Sequence, residues 1–349
     1  MVVLLAGVAA ACGDDGSDGA TPGSGGESVT LRLLTHDSFA VSDGVFEAFT
    51  EETGIEVELL QGGDAGTVVN QAILTKGNPQ ADVLFGIDST FLSRAVEAGL
   101  FVAHEAADLD AVPRALRFDA TGVVTPVDYG DVCVNYDKAY FAEHDLAVPA
   151  TFDDLVDPAY KDLLVVENPA TSSPGLAFLF ATIDHFGADG WAAWWEQAVA
   201  NGVEVVAGWE EAYNSAFSGG GASQGDRPLV VSYASSPPVE VLYADPPVEE
   251  APTAVIESTC YRQVEGAGIL AGSDHVDEAG LLIDFLLSPT FQADVPLQMF
   301  VFPARTDIEL PAVFQAHAAR PAKVLELAPN DIAANRDRWI DEWTDLVLR

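Results

Sequence analysis

The chain has 349 residues, 49% of them hydrophobic, which is enough to bury more than one core and excludes a wholly disordered protein. Fifty-five acidic residues against fifteen basic ones give a formal charge of −40 at pH 7, disfavouring nucleic acid and anionic lipid as partners. That field favours a small cation, but dispersed surface carboxylates produce it equally well.

Residues 1–28 begin with the apolar run MVVLLAGVAAAC, too short for a membrane span, and continue as the polar stretch GDDGSDGATPGSGGES. The run resembles an export signal. Its end at Cys12 resembles a bacterial lipoprotein signal, so lipid attachment at Cys12 and a flexible tether are expected, with simple secretion or a disordered intracellular leader as the alternatives. The pattern departs from that signal at Ala9, where leucine is usual, and in having no basic residue before the run.

From Val29 the strands VTLRLL, IEVELL and ADVLFGI alternate with helical stretches over residues 45–52 and 67–76, a βα order. Asp43 is the expected cap of the first helix, and Asn78-Pro79 ends the second. GVVTPVDYGDVCVNY reads as strands that pass between two lobes. A second lobe follows with the strand DLLVVE, helices over 176–185 and 189–200, the strand GVEVVA, a helix starting near Trp209 and the strand PLVVSYA. TAVIES and QVEGAGIL read as two strands returning to the first lobe, followed by a helix over 276–287. In the last segment Ile332, Trp339, Trp343 and Leu346 fall on one helical face, the pattern of a packing helix. The expected organisation is a first α/β lobe of residues 29–127 and 255–320, a second of 128–254, and a terminal packing region of 321–349.

No motif points to catalysis. GGGASQGDRP lacks the lysine order of a phosphate loop, GIDST lacks a complete dinucleotide fingerprint, and Ser232, Ser235 and Ser236 lack a nucleophile elbow. The six histidines and three cysteines show no metal-ligand spacing, so no metal or cofactor is expected. Cys133 and Cys260 either form one bridge in an oxidising compartment or remain two separate buried thiols. A binding protein is therefore favoured over an enzyme, with a secreted small-molecule hydrolase as the competing class.

Five segments in order, LLTHDSFA, PVDYGDVCVNYDK, ATSSPGLAFLF, VAGWEEAY and VVSYASSP, together with LSPTFQADVP and RDRWIDEW, resemble the solute-binding proteins of thiamine ABC transporters. The resemblance implies a two-lobed periplasmic-binding-protein fold with a central cleft, an extracytoplasmic monomer, and delivery of thiamine to an ABC permease. It also implies room for thiamine monophosphate and diphosphate. Another cationic heteroaromatic nutrient remains the alternative ligand. By the same resemblance Asp64 faces the ligand from the first lobe, Ser172 contacts its oxygen-bearing end, and Trp209, Tyr213 and Tyr233 form the second-lobe wall. His36 and Phe300 are further candidates that stand where the family carries a tyrosine and a tryptophan, and Val239 stands where another tyrosine is suggested.

Overall fold

The computed structural model describes residues 29–221 and 223–349; Cys12 and the expected signal and tether of residues 1–28 lie outside them. In chain order the strands are β1 (Thr30–Thr35), β2 (Glu56–Gln61), β3 (Val83–Asp88), β4 (Phe101–Val102), β5 (Thr125–Asp137), β6 (Leu164–Glu167), β7 (Glu204–Val206), β8 (Leu229–Tyr233), β9 (Thr253–Leu270) and β10 (Phe302–Pro303). They run side by side as β2-β1-β3-β9-β5-β8-β6-β7, with β4 on β9 and β10 on β5.

Each lobe repeats one plan. β2, β1 and β3 are parallel and are closed by antiparallel β9; β7, β6 and β8 are parallel and are closed by antiparallel β5. Helices cover the parallel strands, which is why β3 and β6 are buried along their whole length and read as continuous apolar runs. One core cluster lies wholly within the first lobe, around Leu31, Phe49, Phe85 and Phe291; a larger one fills the second lobe and extends beneath β3 and the C-terminal helix.

β5 and β9 belong to both lobes. Residues 253–256 pair with 134–137, and residues 261–267 pair with 125–132, leaving 257–260 as a bulge where the ladder changes lobe. The two strands expected from TAVIES and QVEGAGIL are thus one strand of 18 residues. At the bulge Cys133 and Cys260 form a disulfide, so the two interlobe strands are tied covalently at their crossing. The bond closes a loop of 127 residues in the unfolded chain. Its reduction, or replacement of both cysteines by serine, is expected to lower the unfolding free energy by up to about 5 kcal/mol on loop-closure entropy. A urea midpoint unchanged by reduction would contradict that.

The C-terminal helix Pro329–Val347 buries Ile332, Trp339 and Trp343 as its periodicity requires. Trp343 meets Trp195 edge-on at 5.4 Å in the second lobe, while Arg94 of the first lobe lies 3.6 Å from Asp337. The helix therefore straddles both lobes. Asp43, the expected cap, does not start the first helix: Val45–Thr53 begins after Gly44, whose φ of 92° is open to glycine but strained for other residues, and no side chain caps it. Among the described residues no helix is long and apolar enough to cross a membrane.

Candidate functional site

Ligand clefts in α/β sheets form beyond the carboxyl ends of parallel strands, and the expected contacts collect there. His36 follows β1, Asp64 follows β2, Trp209 follows β7, and Tyr233 ends β8. With Tyr213 and Phe300 they line one cavity of about 340 Å³ between the lobes, a size suited to a small organic molecule. Phe300 reaches it from the loop joining the helix Pro289–Gln298 to β10, with a backbone φ of 53°.

The second-lobe wall is a braced aromatic stack. The rings of Trp209 and Tyr213, one helical turn apart, lie 5.0 Å apart and nearly parallel. Trp209 Nε1 donates to Ser232 Oγ at 2.8 Å, and the Tyr213 hydroxyl donates to Glu240 Oε1 at 3.0 Å. Both anchors fix ring orientation without using the ring faces. The Tyr233 hydroxyl donates to Gln263 Oε1 at 2.8 Å, and its ring lies over Gly130, where a Cβ would stand 2.6 Å from Cδ1. Gly130 is thus required by the aromatic wall.

Asp64 joins the lobes. It is 8% exposed and precedes the helix Ala65–Thr75, yet its carboxylate does not cap that helix. Oδ1 accepts from the Ser173 N–H and Oδ2 from the Trp209 N–H, each at 3.0 Å, both donors belonging to the second lobe. Beside it the Thr67 N–H donates to Thr171 O at 3.0 Å, and Gly66 lies so close that a Cβ there would be 2.7 Å from that oxygen. The lobes are closed on one another at this edge. Burial raises the pKa of Asp64, against the lowering effect of the Trp209 and Ser173 N–H groups, the Ser172 hydroxyl and His36.

Ser172, expected as a cleft contact, does not line the cavity. Its extended backbone makes it the cap of the helix Ser173–Phe186, where Oγ accepts from the Gly175 N–H at 3.3 Å, and it is fully buried. Ser173 lines the cavity instead. Of the expected contacts, His36, Asp64, Trp209, Tyr213, Tyr233 and Phe300 are brought together and Ser172 is set behind them.

A row of three carboxylates that sequence reasoning missed meets the cavity through Glu265. Asp88 on β3, Glu265 on β9 and Asp128 on β5 are register partners, so their side chains share one face of three adjacent strands. Glu265 lines the cavity and its Oε1 lies 3.5 Å from His36 Nε2. Burial disfavours a charge on His36, but Glu265, with Asp64 and Asp37, outweighs it and raises the pKa. Burial pushes Asp88 up to about 6, with the charge of Glu265 adding to it and hydrogen bonds from Thr90, Ser173 and Phe91 opposing it. Among the described residues the wall carries Asp37, Asp64, Glu210 and Glu265 and neither lysine nor arginine. Among the described residues no group of three or more His, Cys, Asp or Glu is disposed to hold a metal ion.

The family described as bacterial extracellular solute-binding protein matches residues 78–335. The thiamine-binding periplasmic protein of Salmonella typhimurium is 32% identical over 327 residues, covering 91% of this chain and 94% of the relative. That of Escherichia coli is 32% identical over 324 residues with the same coverage. A solved periplasmic thiamin binding protein superposes with a TM-score of 0.81 at 30% identity, covering 95% of this chain and all of that one. With the two-lobed fold and its interlobe cavity, these matches establish that the chain belongs to the bacterial extracellular solute-binding protein family.

Proposed function

We propose that the chain captures thiamine outside the cytoplasm and presents it to the permease of an ABC importer. The observation that carries this reading is the composition of the cavity wall: Trp209, Tyr233 and Phe300 offer aromatic surface, Asp64 and Glu265 offer negative charge, and among the described residues neither lysine nor arginine lines it. Thiamine's thiazolium is a permanent cation, attracted both by aromatic faces and by carboxylates. Its aminopyrimidine needs directional partners, and Ser173 and Asn214 lie in the same wall. The names and full-length similarity of the relatives support the same ligand. No chemical conversion is part of the function. The protein works as a monomer tethered through Cys12.

Titration of the purified protein with thiamine, hydroxymethylpyrimidine, choline and iron(III), with product analysis, tests this reading. Saturable thiamine binding without turnover is the expected result; a specific metal signal or conversion of a substrate, without thiamine binding, rejects it. The acidic wall also sets an order among thiamine and its phosphates. A diphosphate brings negative charge to a site that has no lysine or arginine, so thiamine is expected to bind about tenfold more tightly than its diphosphate, a difference of about 1.4 kcal/mol. Competition calorimetry giving equal affinities would contradict that ordering.

A further inference from the structure

Glu265 lines the cavity and Asp128 lies behind it on the neighbouring strand, a placement unusual for two acids. They are register partners on β5 and β9 and stand in hydrogen-bonding contact, while Asp88 flanks Glu265 from β3. Asp128 is 2% exposed and its Oδ2 has no hydrogen-bond partner. Carboxylates directly opposite on neighbouring strands repel, and burial removes the water that screens them. The ionisable groups around the pair are Asp88, Tyr233, His36 and Asp64, among which only His36 can carry positive charge. Arg262, three residues before Glu265, lies on the opposite face of β9 and pairs there with Asp131. A buried carboxyl such as Asp128, set against the partly exposed Glu265 with no lysine or arginine among the described residues beside it, is stable when it holds a proton, as in other acid pairs that cannot both ionise.

Glu265 is also the member of this group that reaches the cavity. We infer that Glu265, backed by Asp128, is the charge selector of the site, and that a cationic ligand is accepted by displacing the proton that Asp128 holds behind it. Before binding, the proton reduces the repulsion in the row. When a fixed positive charge arrives beside Glu265, it takes over that role, and the proton leaves Asp128 for bulk buffer. Burial together with Glu265 and Asp88 holds the Asp128 carboxyl well above the usual carboxylate range, in keeping with a proton resident there near neutral pH. A neutral ring of the same shape brings no charge to replace the proton, so it pays the cost of the row without relieving it. Selection for a cation and release of a proton are then one event.

This inference rests on the thiamine reading above and is tested separately from it. Thiamine is titrated into the whole chain at about pH 7 in two buffers of different ionisation enthalpy, which yields the number of protons exchanged per ligand bound. The wild type is expected to release a number approaching one, and its affinity to rise with pH by up to about tenfold per unit while Asp128 titrates. D128N keeps a donor toward Glu265 and has no proton to give, so it is expected to bind with near-zero release and a flatter pH profile. Hydroxymethylpyrimidine, the neutral probe, is expected to displace none. Thiamine binding to the wild type without proton release overturns the inference and leaves the thiamine reading standing. Equal release by a folded D128N assigns the proton elsewhere, His36 included, and also overturns it. If D128N does not fold, H36Q is measured in its place: release kept in H36Q supports Asp128 as the source, and release lost in H36Q overturns the inference. Absence of thiamine binding removes the ligand reading itself, and this inference with it.

Discussion

Asp64→Asn is expected to lower thiamine affinity by roughly a hundredfold while the chain stays folded. The carboxylate accepts one backbone N–H through each oxygen, from Ser173 and from Trp209, and both donors lie across the cleft. An asparagine can accept through one oxygen only, and its NH₂ then faces an N–H with nothing to receive. Hydrogen bonds to a charged acceptor contribute about 1.5–3 kcal/mol each, and a buried donor left unpaired costs a further amount of the same order. A closed state weakened by about 3 kcal/mol corresponds to roughly a hundredfold in affinity wherever the ligand needs that state. Since the bonds run between lobes, each lobe's own core is untouched. Calorimetry measures the affinity and thermal denaturation the fold. Unchanged affinity in a folded D64N would show that the fastening at Asp64 does not contribute to binding.

The second large effect is on stability against pH. Asp88 is fully buried and its carboxyl is pushed up to about 6 from an ordinary 3.8. Between those values the folded chain keeps a proton that the unfolded chain has released, so stability is greatest at the acidic end and falls as pH rises through about 6. A shift of this size is worth about 3 kcal/mol. Burial of Asp128 and of Glu167, whose two oxygens both lack partners, acts in the same direction. Self-repulsion at a charge of −40 adds to it, so the informative quantity is the difference between variants. Urea denaturation of wild type and D88N between about pH 4 and pH 7.5 is expected to show a slope shallower in D88N by about 3 kcal/mol over the range. Parallel curves would mean that Asp88 holds no displaced proton.

The aromatic half of the site was legible because its signals are local. Trp209 and Tyr213 are four residues apart, a spacing that puts two rings on one helical face, and they stack. Tyr233 sits at the end of a five-residue strand whose apolar pattern marks it plainly. Ser172 and Ser173 show the limit of such reasoning. Both precede the proline of one helix start, and only the extended backbone of Ser172 decides that it caps while its neighbour faces the cleft. Asp43 and Gly44 divide similarly, because a glycine with positive φ makes the turn without any cap.

The carboxylate row was hidden for a different reason. Asp88 appeared only in a failed nucleotide motif, Asp128 in a crossing segment, and Glu265 as one acid in the apolar run QVEGAGIL. Their meaning comes from register across three strands distant in sequence, which no single window contains. The available signal was an acid within each of three otherwise largely apolar strands. The split of β9 into two expected strands has a related cause, since the polar residues 257–260 look like a break and are a bulge inside one strand. Asp64 was singled out and lines the cavity, but its interlobe donors could not be read from a loop that resembles an ordinary helix start.

Capture of thiamine in the interlobe cavity requires the two lobes to close on it. Spin labels at Leu281 in the first lobe and Val199 in the second, 46% and 40% exposed, report that movement directly by pulsed dipolar distance measurement. Saturating thiamine is expected to draw the distance distribution into a single narrow population, which D64N broadens again. A distribution that thiamine leaves unchanged while calorimetry shows it bound would contradict capture by closure of this cleft.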